Sequence, residues 1–279
     1  MKNFFSKKPM ENIELEKKAR KLRRSIIKML EAGRAGHPSG SLSVVEILTV
    51  LFYKILRLDP RNPLWPDRDR FVLSKGHAAP ALYAVLGDLG FFSEDHFSTF
   101  DHIDSILQGH PDRTKTPGVE ISTGSLGQGL SAGIGMALGA KLDGKSYRTF
   151  VLLGDGELQS GQVWEAAMFA GYKKFENLIA IVDNNKLQLS GWTKDILDIE
   201  PLVEKWEAFR WYVTETDGHD FEKLLYTFRD LEEKRAGAPA LVIAHTTKGK
   251  GVSFMENRVE WHAKPMTDEE VALALAELR

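Results

Sequence analysis

Gly154-Asp155-Gly156 and, past a helix-like stretch, Asp183-Asn184-Asn185-Lys186-Leu187 frame the segment that decides the fold. Asp155 and Asn185 lie 30 residues apart, and each sits just past an apolar run, Tyr147–Leu153 before the first and Asn177–Val182 before the second. Two such runs joined by a helical crossover predict parallel strands whose C-terminal ends lie side by side. Asp155, Asn185 and a nearby backbone carbonyl then face one point. All are oxygen donors, a set that suits Mg2+ or Ca2+ and not zinc. Mg2+ takes few protein ligands and completes its octahedron with phosphate oxygens and water. The pair therefore reads as a seat for a metal–diphosphate. Gly154 and Gly156 permit close backbone approach beside a phosphate, and amides at the following helix start favour an anion. Alone, the first tripeptide is equally a strand–turn–helix with a capping aspartate; the paired ends weigh against that.

Outward from this unit, strands and helices alternate. Strands are expected at Arg70–Leu73, Trp211–Glu215 and Ala240–His245. Helices are expected over 11–33, from Ser43 to about Leu56, up to about Leu89 and Leu142, and over Pro201–Phe209, Asp220–Arg235 and Thr267–Leu278. Ser43 with Glu46, and Thr267 with Glu270, have the spacing of capping boxes. The alternation predicts an α/β fold with a doubly wound, mainly parallel sheet and helices on both faces. Without repeats or a low-complexity linker, residues 12–279 read as one domain, preceded by a mobile, polar segment over residues 1–11.

Of 279 residues, 43% are hydrophobic and 27% charged, ordinary values for a soluble protein. The absence of cysteine excludes disulfides, thiolate metal sites and a cysteine nucleophile, and fits a cytoplasmic location. No apolar run is long enough to cross a bilayer. Residues 1–34 carry 11 Lys and Arg against 4 Asp and Glu. Leu15, Ala19, Leu22, Ile26 and Leu30 follow helical spacing there, so the charge reads as a solvated helix face, with neither nucleic acid nor membrane as partner.

Four of the eight histidines, His37, His77, His110 and His262, sit in Gly- or Pro-marked loops. Their separations match no compact zinc pattern, so they suit proton transfer and hydrogen bonding in a shared polar site. Gly124-Ser125-Leu126-Gly127-Gln128-Gly129 precedes a helix. It is a weak signal alone, open to phosphate binding, to helix packing or to a degenerate dinucleotide loop, and no strand clearly precedes it.

Together these stretches resemble the transketolase family of thiamine diphosphate enzymes. The resemblance rests on the GDG and NN pair, on GHPSG (36–40), LSKGHA (73–78), QGHPD (108–112) and GSLGQG (124–129), and on TTKGKG (246–251) with Trp261-His262, in the family's order. It runs from about residue 12 to about residue 265. It implies a thiamine diphosphate-binding fold in which Asp155, Asn185 and the Leu187 carbonyl hold Mg2+, with Ca2+ or Mn2+ as substitutes. Cofactor contacts would come from His77, Gly124, Leu126, Gly127, Gly156, Glu157, Lys248 and His262. The catalytic residues implied are His37, His77, His110 and His262, with His37 and His110 facing sugar hydroxyls. Leu187 replaces a common Ile and Ser125 a common Pro.

The implied activity is transfer of a two-carbon ketol unit from a ketose phosphate to an aldose phosphate, by default those of the pentose phosphate pathway. Full-length members continue into a pyrimidine-binding domain that supplies an activating Glu. The chain is therefore expected to be the N-terminal subunit of a split enzyme, inactive without a C-terminal partner, with two copies of each chain. The alternatives are a noncatalytic module of this fold, part of a deoxyxylulose-phosphate-synthase-like enzyme and, more distantly, a nucleotide-binding oxidoreductase.

Overall fold

Seven strands and ten α-helical segments follow one another in a computed structural model that describes residues 12–235 and 237–279. The expectation for residues 1–11 lies outside the described residues. The chain enters through α1 (Asn12–Gly33), α2 (Pro38–Leu42) and α3 (Val45–Val50), and α3 runs into one wide i→i+5 turn, Leu51–Ile55. Next come β1 (Arg70–Leu73), α4 (Ala79–Leu89), α5 (Gly129–Leu142), β2 (Thr149–Gly154), α6 (Gly161–Lys173) and β3 (Leu178–Asn184). A small hairpin, β4 (Leu187–Gln188) with β5 (Gly191–Trp192), leads to α7 (Thr193–Ile196) and α8 (Leu202–Ala208). The chain closes with β6 (Tyr212–Asp217), α9 (Phe221–Lys234), β7 (Ala240–His245) and α10 (Asp268–Glu277).

The main sheet has the order β1-β2-β3-β7-β6, and every pairing in it is parallel. Its inner strands are apolar on both faces, as a sheet covered on both sides requires, whereas β6 at one edge is half-exposed and carries Thr214, Glu215 and Thr216. Side chains alternate across the pleat and feed two cores. Phe150, Leu152, Ile179, Ile181 and Val242 pack with α1, α3, α4 and α9. Val151, Leu153, Ala180, Val182 and Leu241 pack with α5, α6 and α8. Helices thus cover both faces, and the C-terminal ends of β1, β2, β3 and β7 align along one edge.

The Thr267–Glu270 capping box forms as the spacing predicts. The one expected at Ser43 does not. Val44 caps α3, and the Ser43 hydroxyl instead donates to the buried Asp183 carboxylate at 2.7 Å. The hydroxyl thus gives its proton to a buried anion instead of presenting its oxygen to a helix amide, and a hydrogen bond to a charged group is the stronger of the two. Glu46, the other half of the expected box, turns to Arg23 on α1, which donates to both its oxygens at 2.5 and 2.8 Å. Burial opposes ionisation of Glu46, but Arg23 and His219 outweigh it and hold the carboxyl down to about 2. A depressed folded value contributes stability that is present above the unfolded value, near 4.5, and is lost as the pH falls toward 2. Between pH 6 and pH 3 the unmodified chain is expected to lose on the order of 2 kcal/mol more stability than Glu46→Gln, measured by urea unfolding at each pH.

Candidate active site

Four strand ends deliver the site. β1 runs into Ser74-Lys75, β2 into Asp155, β3 into Asn185 and β7 into Thr246. Gly154 pairs with Asp183 across the β2–β3 ladder, so Asp155 emerges beside the end of β3, and its amide donates to the Asp183 carbonyl at 3.3 Å. One Asp155 oxygen accepts from the Gly156 amide at 2.6 Å and the other from the Lys186 amide. The Asn185 carbonyl oxygen accepts from the Leu187 amide at 3.1 Å, while its side-chain amide donates to Asp183 at 2.9 Å. The Leu187 carbonyl receives the Lys248 ammonium. The structure therefore brings Asp155 against the turn that carries Asn185 and Leu187, and all three residues are buried.

Their charge balance fits a divalent cation. Burial, and then the neighbouring Asp183 carboxylate, push the Asp155 carboxyl up to about 6, with the two amide donors only partly offsetting this. Lys248, a buried cation that pulls the other way, is itself pushed down to about 8 by burial and by Lys75. A buried carboxylate short of positive charge, flanked by an amide oxygen and a peptide oxygen, is a hard-cation donor set. Among the described residues no group of three or more His, Asp or Glu side chains is placed to hold a metal.

Asp183, fully enclosed, is the centre of the scaffold behind these donors. It accepts from Lys75 at 2.6 Å, from Ser43 at 2.7 Å, from Asn185 and from the Thr246 hydroxyl. Burial opposes its ionisation, but Lys75 and these donors hold its carboxyl below the usual range. Sequence reasoning assigns no role to Lys75 or Asp183. The available signal is an aspartate closing an otherwise apolar buried strand, which requires a buried partner.

The four loop histidines converge. The His37 ring centroid lies 5.1 Å from that of His77, 5.5 Å from His262 and 6.1 Å from His110, and His77 lies 5.4 Å from His262. Glycines make room for them. A Cβ on Gly40 would lie 3.3 Å from His77 Nε2, and one on Gly124, where φ is +154°, would lie 3.1 Å from the His110 ring. Burial and the neighbouring His110, Lys248 and Lys75 push His37 down to about 4. Burial and Lys248 push His262 down to about 3, and burial with Lys75 pushes His77 well below its usual value. Near pH 7 these three rings are therefore neutral, able to accept at one nitrogen and donate from the other. His262 Nδ1 lies 2.8 Å from Lys248 Nζ, so one lysine joins the histidine group to the Leu187 carbonyl.

Two residues expected at the cofactor, Glu157 and Gly127, are hydrogen-bonded to each other. Glu157 is buried and accepts from Ser74, from the Gly127 amide at 2.9 Å and from the Gly154 amide at 3.0 Å. Both of its oxygens and the Gly127 amide thus tie three loops together. A side chain at Gly127 would be strained, since φ is +88° and a Cβ would sit 2.4 Å from Ser160 Oγ and 2.9 Å from its Cβ. Leu126, between these glycines, projects outward and is partly exposed. His96, His102 and His245 lie outside the histidine group.

Residues 15–278 match the family described as transketolase, thiamine diphosphate binding domain. The chain is 48% identical over 267 residues to one of the subunits of the apulose-4-phosphate transketolase of Actinobacillus succinogenes, covering 95% of this chain and 96% of that one. It is 42% identical over 269 residues to the 6-deoxy-6-sulfo-D-fructose transketolase subunit SqwG of a Clostridium species, covering 96% and 97%. The crystal structure of transketolase from Campylobacter jejuni superposes with a TM-score of 0.90 at 32% identity. That match covers 96% of this chain but only 43% of the Campylobacter chain.

Proposed function

This chain belongs to the transketolase family, and from that premise we propose that it is the diphosphate-binding subunit of a two-polypeptide transketolase. The observation that carries the reading is the oxygen donor set of Asp155, Asn185 and the Leu187 carbonyl beside four convergent histidines. In this reading those donors hold Mg2+ on the diphosphate of thiamine diphosphate. Bound there, the cofactor supplies the nucleophilic carbon and the electron sink that ketol transfer needs. Gly156, Leu126 and the glycines of 124–127 line its path, with His77, Lys248 and His262 near the diphosphate.

The histidines serve the sugar. His37 and His110 orient hydroxyls of the donor ketose and the acceptor aldose. A neutral imidazole takes the proton from the donor hydroxyl next to the breaking carbon–carbon bond. It returns a proton to the acceptor's former carbonyl oxygen as the new bond forms. His77 and His262 would also lie near those carbons, and their low proton affinity keeps them in the accepting form.

The substrates proposed are a ketose phosphate and an aldose phosphate of the pentose phosphate class. The partner proposed is a C-terminal subunit bearing the pyrimidine domain and its activating Glu, in an assembly with two copies of each chain. The naming of the two similar chains as subunits supports that partnership. The lack of cysteine supports a cytoplasmic setting, and among the described residues no helix is long and apolar enough to cross a membrane.

Mixing the purified chain with its companion subunit, thiamine diphosphate and Mg2+ tests the proposal. Ketol transfer between a ketose phosphate and an aldose phosphate is expected from the mixture. The chain alone is expected to be slower by at least about a hundredfold, the contribution of a missing general acid–base group. Full turnover by the chain alone would sink the two-polypeptide reading.

A further inference from the structure

His219 lies outside the site just described, yet it touches the loop that carries Lys248. It follows Gly218 at the end of β6, and its ring is largely enclosed. Nε2 lies 2.7 Å from the Thr247 amide nitrogen and Nδ1 lies 2.9 Å from Glu46 Oε2. A backbone amide can only donate, so Nε2 must present its lone pair. The ring proton then sits on Nδ1 and points at Glu46. Glu46 is clamped in turn by Arg23, and the Arg23 Nε donates to the Lys250 carbonyl at 2.8 Å.

Residues 247 and 250 are thus held by the two ends of one buried chain, Arg23–Glu46–His219. Between them stands Lys248, whose ammonium rests on the Leu187 carbonyl and beside His262 Nδ1. Gly218 allows the approach. A Cβ there would come 2.4 Å from Thr246 Cγ2, and the Gly218 amide donates to the His245 carbonyl at 2.8 Å.

We infer that His219, through the Thr247 amide and backed by Glu46 and Arg23, is a positioning residue that sets where Lys248 meets the Leu187 carbonyl and His262. It works in a single tautomer, because a proton on Nε2 would set two N–H groups against each other. Its consequence for cofactor binding rests on the function proposed above.

Nitrogen-15 shifts of the imidazoles read the tautomer directly, and His219 is expected to carry its proton on Nδ1. In calorimetric titrations with thiamine diphosphate and Mg2+, His219→Phe keeps the ring but neither nitrogen. It is expected to bind about tenfold more weakly, the effect of losing the bond that holds the Thr247 amide. His219→Gln, whose amide oxygen reaches the Nε2 position, is expected to recover binding to within about threefold. An Nε2-protonated ring overturns the inference, as does a common drop in melting temperature in both variants with cofactor affinity unchanged. Should the unmodified chain, mixed with its companion subunit, fail to bind the cofactor, the proposed function falls. The inference is then decided by the tautomer and by hydrogen exchange at the Thr247 amide: faster exchange in His219→Phe supports it and equal exchange refutes it.

Discussion

Asp155→Ala is expected to weaken Mg2+-dependent thiamine diphosphate binding by more than about a hundredfold, since losing a mere supporting contact at a metal site already costs about 10- to 100-fold. The removed group is the only carboxylate among the three donors. Its carboxyl is already pushed up to about 6 by burial and by Asp183, so it is the group with most to gain from a cation. The substitution also frees the Gly156 and Lys186 amides. That loss is offset in the metal-free chain by relief of a poorly compensated buried charge. The metal-free melting temperature should therefore move by only a few degrees, separating a binding defect from unfolding. Calorimetric titration of the cofactor at saturating Mg2+ decides the matter; wild-type affinity in the variant would falsify the metal assignment.

Lys75→Met is expected to cost about 3–5 kcal/mol of stability, because it leaves the Asp183 carboxylate buried without its counter-charge. For a chain of this size that corresponds to a fall of roughly 10 °C in melting temperature. Methionine approximately fills the lysine's volume, so the loss is electrostatic and not a cavity. It also removes the donor to the Gly40 carbonyl at 3.0 Å. The double variant Lys75→Met/Asp183→Asn, which deletes the orphaned charge, should recover much of the loss. Scanning calorimetry measures all three proteins. A single variant that melts with the wild type would mean that Ser43, Asn185 and Thr246 suffice to hold the anion.

The sheet was legible because its inner strands are unbroken apolar runs, and the crossover between β2 and β3 could be placed from Asp155 and Asn185. The convergence of His37, His77, His110 and His262 was legible from their shared setting in turn-forming loops. What escaped depends on burial, which a linear pattern does not carry. Ser43 and Glu46 have capping-box spacing, but a buried carboxylate and a buried guanidinium claimed them. Glu157 ties three loops together, and its partners Ser74 and Gly127 lie 83 and 30 positions away. Lys75 looked like one more residue in a turn because its partner, Asp183, is 108 positions away.

The histidine group has a consequence for what the site can tell apart. His37, His77 and His262 form a lining that carries no charge of its own near neutral pH. In the proposed function such a surface would read the hydroxyl ladder of a carbon chain, one lone pair or N–H at a time. These rings have little means of distinguishing one anionic terminus from another. Discrimination by the far end of the sugar would then belong to surfaces beyond these rings, so the same lining could serve sugars that share their reacting end and differ at the other.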